Sequence, residues 1–247
     1  MFPKSRIIIT LILGIVLVSG VVLAQEPAET SSDVQGITLL QELMFGGWVM
    51  IPLGILSILA LMLILWYLVI LQPNRVAPIS LSMKVMEYLG RGELSAAKGL
   101  CIERADFLSN VLVAGLNKAG KEQGAIMSAM QSVGIRESQA LRQRIRYLND
   151  IAVLSPLVGL FGTVLGMIKT FNLFAFDVQV VKPIMLAEGV SQALVTTVVG
   201  LGIAIPSMAF YFYFRGRAQK LISRVEVIAT EVTEVLTDKR TEMNREV

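Results

Sequence analysis

Residues Gly189–Phe214 are 26 consecutive positions without a charged side chain. Wound as a helix rising 1.5 Å per residue, that run is about 39 Å long, more than the roughly 30 Å hydrocarbon core of a bilayer. Backbone amides at such depth must be satisfied within their own segment, as a helix satisfies them. Two further stretches behave alike: Phe45–Asn74 and Ile151–Ile168 carry no Asp, Glu, Lys or Arg. With 54% hydrophobic residues and a mean hydropathy of +0.67 over 247 residues, the chain is too apolar for soluble domains. The fold class is therefore all-α, an integral membrane protein with three transmembrane helices.

A fourth apolar run, Ile7–Ala24, follows Lys4 and Arg6 and ends in Val22-Leu23-Ala24. A short basic region, an apolar core and a small closing residue predict a cleavable signal peptide over 1–24. An uncleaved anchor is the alternative, since eighteen apolar residues just span a bilayer. Residues 25–44 hold Glu26, Glu29, Asp33 and Glu42 and no basic residue, whereas 75–150 hold eleven Lys/Arg against seven Asp/Glu. By the positive-inside rule 25–44 is periplasmic, 45–74 crosses inward, 75–150 is a cytoplasmic helical domain, and 151–174 crosses outward. A periplasmic loop over 175–187, a third span over 188–214 and a cytoplasmic C-terminal helix over 215–247 complete the order. Trp48, and Trp66 with Tyr67, stand near the ends of the first span as interfacial aromatics do. Pro52 falls in its first turn, where a missing N–H costs least.

The cytoplasmic segments show helical periodicity that continues the spans. Leu221, Val225, Ile228, Val232 and Val235 recur at 4-3-4-3 spacing, and Ile126, Met130, Val133, Leu141, Ile145 and Leu148 fall on one stripe. Long helices should thus extend from the membrane into the cytoplasm.

Several chemistries are excluded or weak. With no histidine and a single cysteine, Cys101, the chain lacks Ser–His–Asp and Cys–His pairs, HExxH sites, zinc spacings and any intrachain disulfide. An enzyme is not expected, nor is a cofactor or a metal. Gly162–Thr170 contains glycines, Lys169 and Thr170, yet a phosphate loop needs Gly directly before Lys, and here Met167 and Ile168 intervene. The net charge of +3 gives no argument for nucleic acid.

What the spans do carry is small and hydroxylated residues. Gly159, Gly162, Thr163 and Gly166 share one helical face, which predicts close helix approach in lipid, subunit against subunit. In the third span Gly189, Ala193, Thr197, Gly200 and Ala204 share a face, with Gln192 and Thr196 on its flank. Spacing alone leaves two readings of the threonines: hydroxyls that bond their own helix or a neighbour, or hydroxyls that line an ion path. Pro206 should free a backbone carbonyl and can kink the third span. Glu188 stands at its outer end.

PLVGLFGTVLGMIKTF (156–171) and GVSQALVTTVVGLGIAIPSMAFYFYFRGR (189–217) resemble the two signature spans of the MotA/TolQ/ExbB proton-channel family. The order span, cytoplasmic domain, span, span is similar too, from about residue 40 onward. The AIP ending at Pro206 resembles the ExbB/TolQ branch more than flagellar MotA. The resemblance implies a homopentamer around two copies of a single-span ExbD-type partner that supplies a membrane aspartate. Thr163 and Thr197 would face that aspartate, with Thr196 and Gln192 near the ion pathway. It further implies proton-motive force delivered to a TonB-type client, in the bacterial cell inner membrane. A TolQ-like, gliding or flagellar stator role, and a non-conducting scaffold, stand as alternatives. Many relatives have Glu where this chain has Gln192, which cannot titrate; a carboxylate role there is absent or moved to Glu188. The second hydroxyl of Thr196 also raises sodium as an alternative to the proton.

Overall fold

A computed structural model describes residues 47–72, 78–104, 106–176 and 183–243, with the side chains of 173–176, 183–188 and 239–243 left out of the description. The signal-peptide reading of 1–24, the segment 25–44 and the side chain of Glu188 lie outside the described residues. Within them the protein is helical throughout.

A one-turn 3-10 helix, Gly47–Val49, leads into α1, Met50–Ile70, whose sequence is apolar on every side. Pro52 sits in the first turn as expected. Three short helices follow: α2 (Ile79–Arg91), α3 (Leu94–Arg104) and α4 (Phe107–Leu116). The turn from α2 to α3 is made by Gly92 at φ 81°, where Gly92 N–H donates to Leu89 C=O at 3.1 Å and Glu93 N–H to Tyr88 C=O at 3.0 Å. These paired bonds satisfy the last carbonyls of α2, and the left-handed residue they need is cheapest as glycine. Two long helices complete the chain, α5 (Gln123–Phe176, 54 residues) and α6 (Pro183–Met243, 61 residues). At 1.5 Å per residue they measure about 80 and 90 Å, far longer than a bilayer core, so each is part span and part extension. α1, α5 and α6 are the three described helices long and apolar enough to cross a membrane. α6 starts at Pro183, inside the stretch read as the outer loop, and Pro is well suited to a first helical position.

The helices close around two cores. In the first, Leu81, Val85 and Leu89 of α2, Ala97 and Cys101 of α3, and Leu108, Val111 and Leu112 of α4 pack on Ile126 and Met130 of α5 and on Val225, Ile228 and Val232 of α6. The stripes of both extensions meet here, through Ile126, Met130, Val225, Ile228 and Val232. Burial also pushes the Cys101 thiol up to about 11. The second core joins the spans. Ala60, Ile64, Tyr67 and Leu71 of α1 pack on Ile145, Leu148 and Ile151 of α5 and on Phe214 and Ala218 of α6. Tyr67 and Phe214 meet edge to face, ring centroids 5.7 Å apart.

One expectation changes here. Tyr67 is no interfacial anchor: it is 4% exposed and its hydroxyl donates to the Arg144 carbonyl of α5. A tyrosine has an apolar body and one donor, so a carbonyl at the right height draws it inward, while Trp48 and Trp66 remain exposed. Pro206 lies inside α6 and Pro156 inside α5. A serine adjoins each proline and bonds its own helix, Ser155 Oγ to Ile151 C=O and Ser207 Oγ to Ile203 C=O, both at 2.7 Å.

Candidate functional site: the hydroxyl-lined contact between the second and third spans

α5 and α6 run antiparallel, and the glycines set how closely they approach. A methyl group on Gly159 would lie 2.8 Å from the Thr196 carbonyl oxygen, and one on Gly200 would lie 2.7 Å from the Ser155 carbonyl oxygen. On Gly162 it would meet the Thr196 side chain, on Gly166 the Ala193 methyl at 2.9 Å, and on Gly189 the Thr170 hydroxyl. None of these gaps admits a carbon atom. All five glycines singled out from the sequence therefore lie in one contact, but that contact is between the second and third spans of the same chain. The expectation that the glycine face packs subunit on subunit is corrected: α6 already fills it.

The face of α6 is also rotated from the one expected. Ala193, Thr196, Gly200, Ala204 and Ser207 are buried, and Thr197 lies half-buried at the margin. Successive residues are 100° apart on a helix, so the partner decides which of two adjacent threonines turns inward. Gly159 and Gly162 leave the space that the Thr196 side chain enters. Thr196 is 1% exposed, and its hydroxyl donates to Ala193 C=O at 2.7 Å, with Gly159 C=O a second acceptor at 3.2 Å. Thr197 reaches the same Gly159 carbonyl from the margin at 3.4 Å, a weak bond. Thr163, one turn further along α5, is half-buried and donates to Leu160 C=O at 2.7 Å.

The structure thus sorts the four polar candidates. Thr163 and Thr197 are half-buried and flank the α5–α6 contact, each hydroxyl proton aimed at a backbone carbonyl. Their lone pairs stay available to a donor from outside the subunit. Thr196 lies inside the contact. Gln192 lies apart, its amide against Gly47 at the start of the first span, where a glycine β-carbon would come within 2.7 Å of Nε2. Gly47 has φ 67°, so both its conformation and that crowding favour glycine.

Sequence reasoning passed over Ser155 and Thr170. Both are buried in the contact, with Thr170 Oγ1 donating to Gly166 C=O at 2.8 Å. The 155-159-162-166-170 spacing is a legible signal for this face. Among the described residues, the buried polar side chains besides Tyr67 and Cys101 are Ser109, Ser155, Thr170, Thr196, Ser207 and Thr233, all hydroxyls. Among the described residues, the contact is lined by hydroxyls and holds no buried carboxylate.

Three apolar spans, two of them extended into a helical hub and clamped through glycines and hydroxyls, define a multi-pass membrane protein built for helix assembly. Residues 103–227 match the MotA/TolQ/ExbB proton channel family, and the chain belongs to that family, one of channels and not of enzymes. Among similar proteins, a putative biopolymer transport protein ExbB homolog of Methanothermobacter thermautotrophicus is 31% identical over 49% of this chain and 42% of its own length. The Tol-Pal system protein TolQ of Pseudomonas aeruginosa is 35% identical over 47% of this chain and 52% of its own. Putative biopolymer transport protein ExbB-like 1 of Synechocystis is 32% identical over 68% and 66%. The chain spans about half the length of the first two of these relatives.

Proposed function

We propose that this chain is an ion-channel subunit of the bacterial cell inner membrane, five copies of which surround a single-span ExbD-type partner. The partner contributes a membrane aspartate, and proton-motive force becomes motion passed to a TonB-type client. The observation that carries this reading is the α5–α6 contact, which offers hydroxyls at span depth and no carboxylate among the described residues. A proton path along it needs a titratable group from another chain. Thr163 and Thr197 are the groups that meet that aspartate. A hydroxyl accepts a hydrogen bond from the protonated acid and donates one to the anion, so both states stay solvated. Thr196, with its proton committed within the subunit, holds the Gly159 carbonyl and sets the height of Thr197. Gln192 borders the pathway as a spacer against the first span.

The orientation follows the charge distribution: 1–24 a signal peptide, 25–44 and 175–187 periplasmic, 75–150 and 215–247 cytoplasmic. A TolQ-like client system is the second reading, supported by the similarity to a protein of that name. Thr163→Val and Thr197→Val test the assignment, since each keeps shape and removes the hydroxyl. Each should abolish client-driven uptake while the oligomer purifies unchanged, and a fully active double variant would refute the role. Uptake that persists without sodium and collapses with a protonophore is the outcome expected for proton coupling.

A further inference from the structure

Where the spans give way to their extensions, α5 and α6 enclose a groove of about 890 Å³ whose lining includes Arg142, Arg146, Asp150, Arg215 and Gln219. Arg142 Nη2 donates to Gln219 Oε1 at 2.9 Å, which bridges the two helices across the groove floor. The two ion pairs of the described residues, Arg91–Glu87 and Arg104–Asp106, lie elsewhere, so Arg146 and Arg215 have no carboxylate partner there. Three guanidiniums against the single carboxylate of Asp150 leave the groove cationic. Its height is set by the sequence: Asp150 is the last charged residue before the second span and Arg215 the first after the third. Membrane-ward, the same stripe of α5 runs on from Tyr147 and Asp150 through Leu154, Leu157 and Phe161, all three exposed. On α6 the stripe of Gln219 and Arg215 continues to the exposed Phe212 and Ile205. A cationic groove at headgroup depth, continuous with an exposed apolar track, matches a molecule that is anionic at one end and aliphatic at the other.

We propose that this groove seats the phosphate of an anionic phospholipid, with its acyl chains along the Leu154–Phe161 and Ile205–Phe212 track. Guanidinium is the side chain best shaped for a phosphodiester, which it meets with two parallel hydrogen bonds. Basic recesses between spanning helices on the cytoplasmic side are where anionic headgroups collect. The site rests on the cytoplasmic orientation proposed above but uses none of the channel residues. Native mass spectrometry of the full chain, purified with phosphatidylglycerol or with phosphatidylcholine, tests it without reading activity. Phosphatidylglycerol should be retained over phosphatidylcholine, and Arg146→Gln with Arg215→Gln should cut that preference by about tenfold or more. Arg146→Lys with Arg215→Lys should keep part of it, and millimolar inorganic phosphate should not displace the lipid. Equal retention of both lipids would overturn the proposal. So would full retention by the glutamine variant, displacement by inorganic phosphate, or carboxylates of a neighbouring copy seated on Arg146 and Arg215. Headgroup selectivity and phosphate competition are read on the unaltered protein, so they decide between these outcomes even where a variant folds poorly.

Discussion

At the scale of single residues, Gly159 and Gly202 carry the contrast. A methyl on Gly159 runs into the Thr196 backbone, whereas one on Gly202 meets nothing within 4 Å. Gly159→Ala should therefore destabilise the purified protein by about 1–3 kcal/mol through overpacking. Gly202→Ala should be neutral or gain up to about 1 kcal/mol from helix propensity. Thermal unfolding in detergent separates the two. Cys101 gives a second expectation. Its thiol, ordinarily near 9.0, is raised to about 11 by burial, so the folded state keeps its proton where the unfolded chain has lost it. The associated stability is full below pH 9.0 and declines as the pH rises toward 11. Cys101→Ala should flatten that alkaline decline, and a thiol reagent at pH 8 should label Cys101 only after denaturant is added. The glycines at 159, 162, 166, 189 and 200 were legible in the sequence because spacing alone puts them on shared faces. Which of Thr196 and Thr197 turns inward was not, because a one-residue rotation is decided by the shape of the opposing helix.

At the scale of elements, the Tyr67 hydroxyl ties the first span to α5. Tyr67→Phe keeps the ring against Phe214 and deletes the donor to the Arg144 carbonyl. It should cost about 1 kcal/mol, visible as a lowered melting temperature and faster amide exchange around Arg144. The existence of α1, α5 and α6 was plain from uncharged runs of spanning length, and the stripes of both extensions pointed to a second, non-membrane core. The inward turn of Tyr67 was hidden because Trp66 and Tyr67 have the same interfacial composition, and only a carbonyl 77 residues away tells them apart.

At the scale of the whole molecule, exposed apolar side chains run along all three spans, among them Ile58, Leu61, Leu157, Phe161, Val198 and Ile205. In the proposed assembly, lipid and further copies of the chain would share that surface. A ring of five is the expected result of native mass spectrometry; a stable monomer under the same conditions would contradict the proposed assembly. Cysteine accessibility in a Cys101→Ser background should label position 30 from outside and position 120 only after permeabilisation, and the reverse pattern would invert the proposed orientation. The hub adds a mechanical consequence. From Gln123 to Asp150, α5 extends about 42 Å beyond the second span, held by glycine contacts at one end and by α4 at the other. Such a strut is a lever. A tilt of about 5° at Asp150, where the strut leaves the span, swings the far end by roughly 4 Å at this helical rise, so a small rotation at the membrane becomes a step a neighbouring protein can feel.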